Sequence, residues 1–304
     1  MSRLLLYLVS FVLLASAAAA EPGGERTAFA KIQRELSERL ARSSFETPLV
    51  IEARVDAKEV EGQVYSILDH SVEALTAALS DPVALCDILT LHLNVKSCYP
   101  DEALGSGSTW LPLRVETARK HYVPPRRRSR AIYRLEVCER DPGFACVLLR
   151  TNRGPLGVRD VRIEIRGIRV DDDTSFVELR YRYAPGLLAR ATTRAFLATL
   201  GRKKIGFSVT GVTPDGRPIY VRGPQAAVER NALRHHLALV AYLETRDAPA
   251  SSRFEQRIAR WFDLTEGHSR QLWEMRRDEY LGIKRRERLD DEDRAAASAI
   301  GRRR

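Results

Sequence analysis

Apolar residues alternate with charged ones in two neighbouring segments, 161–166 and 177–183, which three consecutive aspartates separate. In a β-strand, successive side chains point to opposite faces of the sheet. The pattern therefore predicts two antiparallel strands with one apolar face and one charged face. Tyr181 and Tyr183 fall on the apolar face, and charges of both signs fall on the other.

Similar alternation predicts further strands, with turn residues between them. These strands cover residues 49–55, 60–68, 113–118, 133–137, 145–149, 204–212 and 218–222. Two short helices are predicted after the first strands, with Ser71 and Asp81 as N-caps and Pro82 in the first turn of the second helix. Residues 31–42 form a predicted amphipathic helix. A mildly amphipathic helix at Leu187–Leu200 is interpreted as either a cavity lid or an external crossover.

The longest helical pattern without interruption is Gly223–Glu244. Pro224 suits its first turn, because the missing N–H of proline would have no partner there. At about 100° per residue, one side of this helix is apolar. That side holds Val228, Ala232, Leu233, Leu237, Leu239, Val240 and Leu243. Glu229 and His236 project from the same side, which indicates either a cavity or a structural polar network in the core.

The opposite side of this helix is predicted to be its polar side. It carries Arg230, Asn231, Arg234 and His235. Glu229 and His236 are seven residues apart and are therefore separated by about 10.5 Å along the axis, too far for a direct hydrogen bond. Each needs another partner, either a protein group such as Tyr181, Tyr183 or Asn94, or a polar group of a ligand.

The predicted order of elements is strand, two helices, a run of antiparallel strands and one long C-terminal helix. With the helix break at Ser80–Pro82, this order resembles the START-like (SRPBCC, helix-grip) superfamily over Ile51–Leu243. The chain also looks like an uncharacterised exported bacterial family in that group, in stretches such as Gly201–Phe207 and Glu229–Asn231. The resemblance implies an α+β fold in which a curved antiparallel sheet wraps around the long helix and a hydrophobic cavity. It implies no known activity.

Four regions follow from these patterns. Residues 1–20 have a short basic start, an apolar run and small residues before Glu21, which predicts a cleaved signal peptide. An uncleaved anchor is the alternative, although the apolar run is shorter than the about 20 residues that a span needs. Residues 21–47 are a predicted N-terminal helical segment, and 48–246 the START-like domain. Residues 247–304 are a predicted charged helical extension with a frayed tail after Leu289.

Charge and cysteine content narrow the functional classes. The 304 residues carry a formal net charge of +10, and loss of Arg3 with the signal leaves +9. On an exported chain this favours anionic envelope surfaces over nucleic acid as partners, although simple solubility is the alternative. No integral membrane segment is expected after signal cleavage.

Four cysteines in an exported chain predict two disulfides as structural staples. A hairpin turn places Cys138 directly opposite Cys146, which leaves Cys86 to pair with Cys98. Other connectivities and free thiols remain open.

The search for catalytic motifs finds no phosphate-binding loop, no Gly-x-Ser-x-Gly elbow and no His-Glu-x-x-His. No catalytic residue, metal ligand or cofactor is therefore predicted, and enzymatic activity is left open. The candidate ligand-binding residues are Glu229, His236, Leu233, Leu237, Val240, Tyr181, Tyr183 and Asn94.

Three functional hypotheses remain. The first is a periplasmic or secreted carrier of a hydrophobic or amphipathic small molecule, such as a lipid. The second is an envelope interaction protein that binds a partner or an anionic surface through its C-terminal helices. The third is an enzyme that uses Glu229 or His236.

Overall fold

The computed structural model describes residues 24–43, 45–101, 110–141, 143–154, 157–186 and 203–301. The predicted signal peptide and the predicted helix at 187–200 lie outside the described residues. The helices are α1 (Gly24–Ala41), α2 (Val72–Ser80), α3 (Pro82–Leu91), α4 (Gly223–Thr245), α5 (Ala250–Glu266), α6 (Ser269–Leu272) and α7 (Arg277–Gly301). The strands are β1 (Leu49–Val55), β2 (Val60–Leu68), β3 (Val95–Pro100), β4 (Leu111–Thr117), β5 (Ser129–Asp141), β6 (Phe144–Arg153), β7 (Arg159–Arg169), β8 (Ser175–Ala184), β9 (Ile205–Val212) and β10 (Pro218–Arg222).

The strands β1 to β8 form one antiparallel sheet in the order β1-β2-β8-β7-β6-β5-β4-β3, and β9 and β10 form a separate hairpin. Apolar residues of neighbouring strands meet on the inner face of the large sheet, as Leu135 does with Leu149 and Ile163 with Tyr181. The helix α4 packs against this face at β1, β2 and β8. The molecule is therefore α+β, and it has the predicted helix-grip arrangement of an antiparallel sheet around a long C-terminal helix.

The close approach of α4 to the sheet depends on Gly62 in β2. A Cβ atom at this position would lie 3.1 Å from the Val228 side chain and carbonyl oxygen and 3.2 Å from the Ala232 side chain. Gly62 also lies opposite Tyr181 of β8 in the sheet. The small residue therefore lets the helix lie close to the strand beside the inner-face tyrosines.

The two short helices begin as the sequence predicts. The Ser71 side chain accepts a hydrogen bond from the Ala74 N–H at 3.2 Å, and the Asp81 side chain accepts one from the Val83 N–H at 2.8 Å. Pro82 occupies the first turn of α3. In the part of the chain that is described, no helix alone is long and apolar enough to cross a bilayer; α2 and α3 pass that test only when joined, and they are bent by 93°.

The outer face of the sheet is partly covered by α1. Phe29 of α1 is fully buried, and its ring lies 6.2 Å from the ring of Phe144 and 5.0 Å from that of Phe176. The prediction of an amphipathic helix at residues 31–42 is confirmed, although the helix begins earlier, at Gly24.

The C-terminal helices belong to the same hydrophobic core as the sheet. Trp261 of α5 is buried and its indole N–H donates to the Arg234 carbonyl at 3.1 Å. Tyr280 of α7 is fully buried and its hydroxyl donates to the Leu91 carbonyl at 2.9 Å. The prediction of a frayed tail after Leu289 is wrong for residues 290–301, because α7 continues to Gly301. Arg294 of this segment donates to the Ser97 hydroxyl at 2.9 Å.

A buried ion-pair network fastens α7 to β3. The Glu287 carboxylate lies 2.8 Å from the Lys96 ammonium and 2.9 Å from the Lys284 ammonium, and all three residues are buried. Burial, and then the neighbouring Lys284, lowers the pKa of Lys96 to about 8. Removal of Glu287 would leave two buried cations, Lys96 and Lys284, without their shared counter-ion. The network therefore attaches α7 to β3.

Both expected disulfides are present. Cys86 of α3 is bonded to Cys98 of β3, and Cys138 of β5 to Cys146 of β6. The predicted register at the second bond is wrong, because an irregularity between Val137 and Glu139 places Glu139, not Cys138, opposite Cys146.

Candidate functional site

Polar rings meet between the inner face of the sheet and α4. The His92 ring, which follows α3, stacks on the His235 ring of α4 with centroids 4.3 Å apart and planes at 12°. The Tyr181 ring of β8 lies 5.6 Å from His235 and 5.6 Å from Tyr183. We call His92, Asn231, His235, Tyr181 and Tyr183 the inner polar cluster.

The tautomer of His92 follows from its hydrogen bonds. The Asn94 backbone N–H points at His92 Nδ1 from 3.2 Å, so Nδ1 accepts, and Nε2 then donates to the Asn231 side-chain oxygen at 2.9 Å. Burial, followed by the nearby His235 and Arg234, holds the pKa of His92 well below its usual value. His92 is therefore a neutral ring with both nitrogens occupied.

His235 differs from His92 because its ring nitrogens form no hydrogen bond with another described residue. Burial, and then Arg234, lowers its pKa to about 4, so this ring is also neutral near pH 7. Two neutral imidazoles stack without charge repulsion. His235 consequently presents one donor and one acceptor that no described protein group uses.

The inner-face tyrosines are protonated and also lack described partners. Burial raises the pKa of Tyr181 well above its ordinary value, raises that of Tyr183, and raises that of Tyr133 on β5 to about 12. Tyr181 and Tyr183 are only partly buried, and their hydroxyls make no hydrogen bond with another described residue. Unused hydroxyls beside an apolar strand face are suited to fix the polar end of a bound molecule.

Three cationic side chains surround the Glu274 carboxylate next to the inner polar cluster. This carboxylate lies 2.9 Å from the Arg234 guanidinium, 2.9 Å from the Lys120 ammonium and 3.2 Å from the Lys204 ammonium. Burial alone would raise the pKa of Glu274, but the three cations outweigh it and lower the pKa to about 2. Arg230 is also buried here, and burial followed by Arg234 lowers its pKa to about 10. The positive potential of these side chains helps to keep the adjacent histidines neutral.

The carboxylate of Glu229, a predicted ligand contact, holds the β9 hairpin. It accepts hydrogen bonds from the backbone N–H groups of Phe207 (2.6 Å) and Ser208 (3.1 Å). It also accepts from the Ser208 hydroxyl at 2.7 Å and from the Gln225 amide at 3.2 Å. Glu229 is fully buried with these partners, so its acceptor positions face β9, away from the eight-stranded sheet.

His236 lies towards the same side of α4 as Glu229. Burial, and then His268, lowers its pKa to about 4, and its buried Nδ1 has no hydrogen-bond partner. His268 in turn contacts the rings of Phe45 and Phe207. The structure therefore brings Glu229 and His236 to one face, as predicted, but that face packs on β9 and the loop at His268.

The remaining predicted contacts divide between core and surface. Leu233 and Leu237 are buried in the main core, and Val240 is partly buried against it. Asn94 has an exposed side chain that donates to the Ala118 carbonyl at 2.9 Å, so only its backbone N–H reaches the cluster.

Two clefts open on other parts of the surface. One of about 600 Å³ lies on the outer face of β4, β5 and β6, and one of about 440 Å³ lies between α3, β3, α5 and α7. Neither lies between the inner face and α4. In the ranges that the structure describes, no three His, Cys, Asp or Glu side chains are grouped to hold a metal ion.

Comparison with known proteins adds solved structures only, since no protein-family model and no curated protein matches the chain. The aromatase/cyclase Zhui from Streptomyces sp. R1128 superposes with a TM-score of 0.38 and 12% identity, over 64% of this chain and 98% of that chain. Human StAR-related lipid transfer protein 5 gives a TM-score of 0.31 and 10% identity, over 57% of this chain and 90% of that chain. A conserved protein of unknown function from Enterococcus faecalis gives 0.35 and 8%, over 76% and 95%. Similarity of this degree carries no functional conclusion.

Sequence reasoning missed the side of α4 that carries the cluster. Arg230, Arg234 and His235 were predicted to lie on the polar side, yet each is at most 8% exposed. Arg234 donates to the Leu272 carbonyl of α6, Arg230 donates to the Ile205 carbonyl of β9, and His235 packs on the His92 and Tyr181 rings. The second half of α4 has alanine and leucine on all sides, and a helix that is apolar on all sides is buried. This pattern could have indicated that the whole helix lies in the core.

Proposed function

We propose that this protein binds a hydrophobic or amphipathic small molecule between the inner face of the sheet and α4. The observation that supports this most directly is the set of polar groups at Tyr181, Tyr183 and His235, which form no hydrogen bond with another described residue. The two tyrosines are partly buried and His235 is 8% exposed, and polar groups with little access to water favour a hydrogen-bond partner. A ligand with a polar end at this cluster and an apolar body on the strand face would supply those partners.

The charge around the cluster restricts the ligand. His92 and His235 are neutral, Arg234, Lys120 and Lys204 surround the Glu274 carboxylate, and Arg230 is buried nearby. A cationic end would be repelled here, whereas a neutral or acidic polar end would be stabilised. Fatty acids and related amphipathic acids or alcohols fit this description.

The proposed location is the periplasm or the extracellular space. The support is twofold: two disulfides, which persist in oxidising compartments, and the signal-like pattern of residues 1–20.

The test is titration of the purified, disulfide-bonded chain with a fluorescent fatty acid and with the matching alcohol. Tyr181→Phe removes one hydroxyl and is expected to weaken binding about 2- to 12-fold, the value of one neutral hydrogen bond. Tyr220→Phe, on β10, is the matched control and should bind as the parent does. Absence of saturable binding by both probes would contradict the proposal.

The other two hypotheses gain less support from the geometry. Of the large aromatic residues in the C-terminal helices, Trp261 and Tyr280 are buried in the core, and Trp273 is 54% exposed. Glu229 has its acceptor positions filled by protein donors, which leaves no lone acceptor aimed at a substrate. We therefore propose neither function on these residues.

A further inference from the structure

Four arginines lie side by side across the outer face of the sheet. Arg134 of β5 pairs with Arg150 of β6, Arg150 with Arg162 of β7, and Arg162 with Arg182 of β8. With strands about 4.8 Å apart, this arginine row is about 14 Å long. Like charges directly opposite one another destabilise an antiparallel sheet, so the row opposes folding unless anions balance it.

The protein balances the row only in part. Arg150 lies 2.6 Å from Glu136, and Arg182 lies 3.9 Å from Glu59. Arg134 and Arg162 have no acidic partner at ion-pair distance among the described residues. None of the four arginines is buried, so their guanidinium groups are accessible from solvent.

The row runs into the outer-face cleft of about 600 Å³. Tyr99, Trp110, Arg114 and Arg130 line it together with Arg134 and Arg150 of the row. The Arg134 guanidinium lies 4.7 Å from the centroid of the Trp110 ring. The cleft also contains Glu116, but this carboxylate is already paired with Arg128 and Arg130. Arg114 in the cleft is also paired, with Asp101. Among the arginines of the row, Arg134 and Arg162 therefore carry the charge without an acidic partner, and the aromatic rings lie at the cleft end.

The outer face beside the row and its cleft is already occupied. Phe29 of α1 covers the region around Phe144 and Phe176, and Arg166 stacks on the Phe29 ring at 4.7 Å. Helix α1 therefore does not pack on the arginine row, and no described element covers the row.

We propose that the arginine row and its cleft bind an acidic polysaccharide chain. Guanidinium groups form paired hydrogen bonds with carboxylate, sulfate or phosphate groups. Arg134 and Arg162 have no acidic partner among the described residues and lie in line on either side of Arg150, which suits a repeating anion better than a single one. The flat ring of Trp110 suits the apolar face of a sugar ring. The choice of glycan over nucleic acid rests on the location proposed above, outside the cytoplasm, where acidic glycans are the more accessible polymer. A planar bilayer does not enter the cleft in which Arg134 and Trp110 stack.

The experiment measures binding of the disulfide-bonded chain to polygalacturonate and dextran sulfate, with neutral dextran as the uncharged polymer. Both acidic polymers should bind, with affinity that falls as salt rises from about 50 to about 200 mM, and neutral dextran should not. The double variant Arg134→Gln and Arg162→Gln should lose about 10-fold or more in affinity. A control double variant with the same change of charge, Arg217→Gln and Arg276→Gln, should change affinity by less than about 2-fold.

Three results would overturn the proposal. Equal losses in the two double variants would show attraction by net charge alone. Equal or tighter binding of a single-stranded oligonucleotide would indicate nucleic acid, and selective capture by phosphatidylglycerol vesicles would indicate a membrane surface. Trp110→Ala should also weaken binding of polygalacturonate to the parent chain. An unchanged affinity would contradict the proposed contact between Trp110 and a sugar ring. Because all these positions are accessible, thermal melting should show that the variants fold, which keeps the comparison valid.

Discussion

Replacement of Glu229 separates a structural role from a ligand-binding one. Its carboxylate holds two backbone N–H groups of β9, the Ser208 hydroxyl and the Gln225 amide at 2.6–3.2 Å. Glu229→Ala would leave the N–H groups of Phe207 and Ser208 without acceptors, and each unsatisfied buried donor costs about 1–3 kcal/mol. We expect the free energy of unfolding to fall by about 3–5 kcal/mol. Glu229→Gln keeps one oxygen for the two N–H groups and should cost about 1–2 kcal/mol.

The assay is urea unfolding followed by circular dichroism at pH 7. Glu35→Ala, on the exposed face of α1, is the control and should change stability by less than about 0.5 kcal/mol, because its carboxylate is 61% exposed. The reasoning is refuted if Glu229→Ala is no more destabilising than Glu35→Ala. A Glu229→Gln variant with parental stability but reduced uptake of a fatty acid probe would restore the ligand-contact role.

Three further predictions concern buried groups. His235 and His236 have folded-state pKa values of about 4, below the unfolded value of about 6.5. Between these pH values the unfolded state binds more protons, so the free energy of unfolding falls as pH falls, by roughly 3 kcal/mol per histidine between pH 7 and pH 4. Urea titrations at several pH values should show this loss, and a free energy of unfolding that does not change with pH would contradict it. Gly206→Ala should lower the free energy of unfolding by about 2–3 kcal/mol, because the new Cβ would lie 2.9 Å from a backbone atom of α4 and would clash with the Glu229 carboxylate. Thermal melting measures this change, and an unchanged melting temperature would contradict it. Deletion of residues 250–304 should prevent folding, because it removes core side chains, and dispersed NMR signals from the truncated chain would oppose this.

Local patterns in the sequence were enough to predict the helix caps and every strand of the large sheet except β3, which follows α3 directly and was not among the predicted strands. The predicted bounds of β1 and β2 agree with the structure to the residue. In β2 buried residues alternate with partly buried ones over Val60–Val64, as the sequence pattern indicates. Ser71 and Asp81 correctly predicted the N-termini of α2 and α3, because their side chains accept hydrogen bonds from backbone N–H groups within three residues. These features need no knowledge of distant contacts.

The inner polar cluster depends on distant contacts and could not be predicted in this way. His92 and Asn231 are far apart in sequence, and their hydrogen bond exists only because α3 and α4 pack together. His235 was predicted to be on a polar side because the helical pattern cannot show that His92 and Tyr181 pack against it. Glu229 was correctly placed on a buried stripe, but its partners on β9 came from a hairpin that the pattern did not connect to it.

Native mass spectrometry of the protein, purified with both disulfides intact, tests the central proposal most directly. The account predicts a small-molecule mass addition on the parent chain that denaturation releases. Tyr181→Trp, which places a larger ring beside His235, should abolish this addition, whereas Tyr220→Trp on β10 should retain it. A parent chain without any such addition, or an equal addition on both variants, would contradict binding between the sheet and α4.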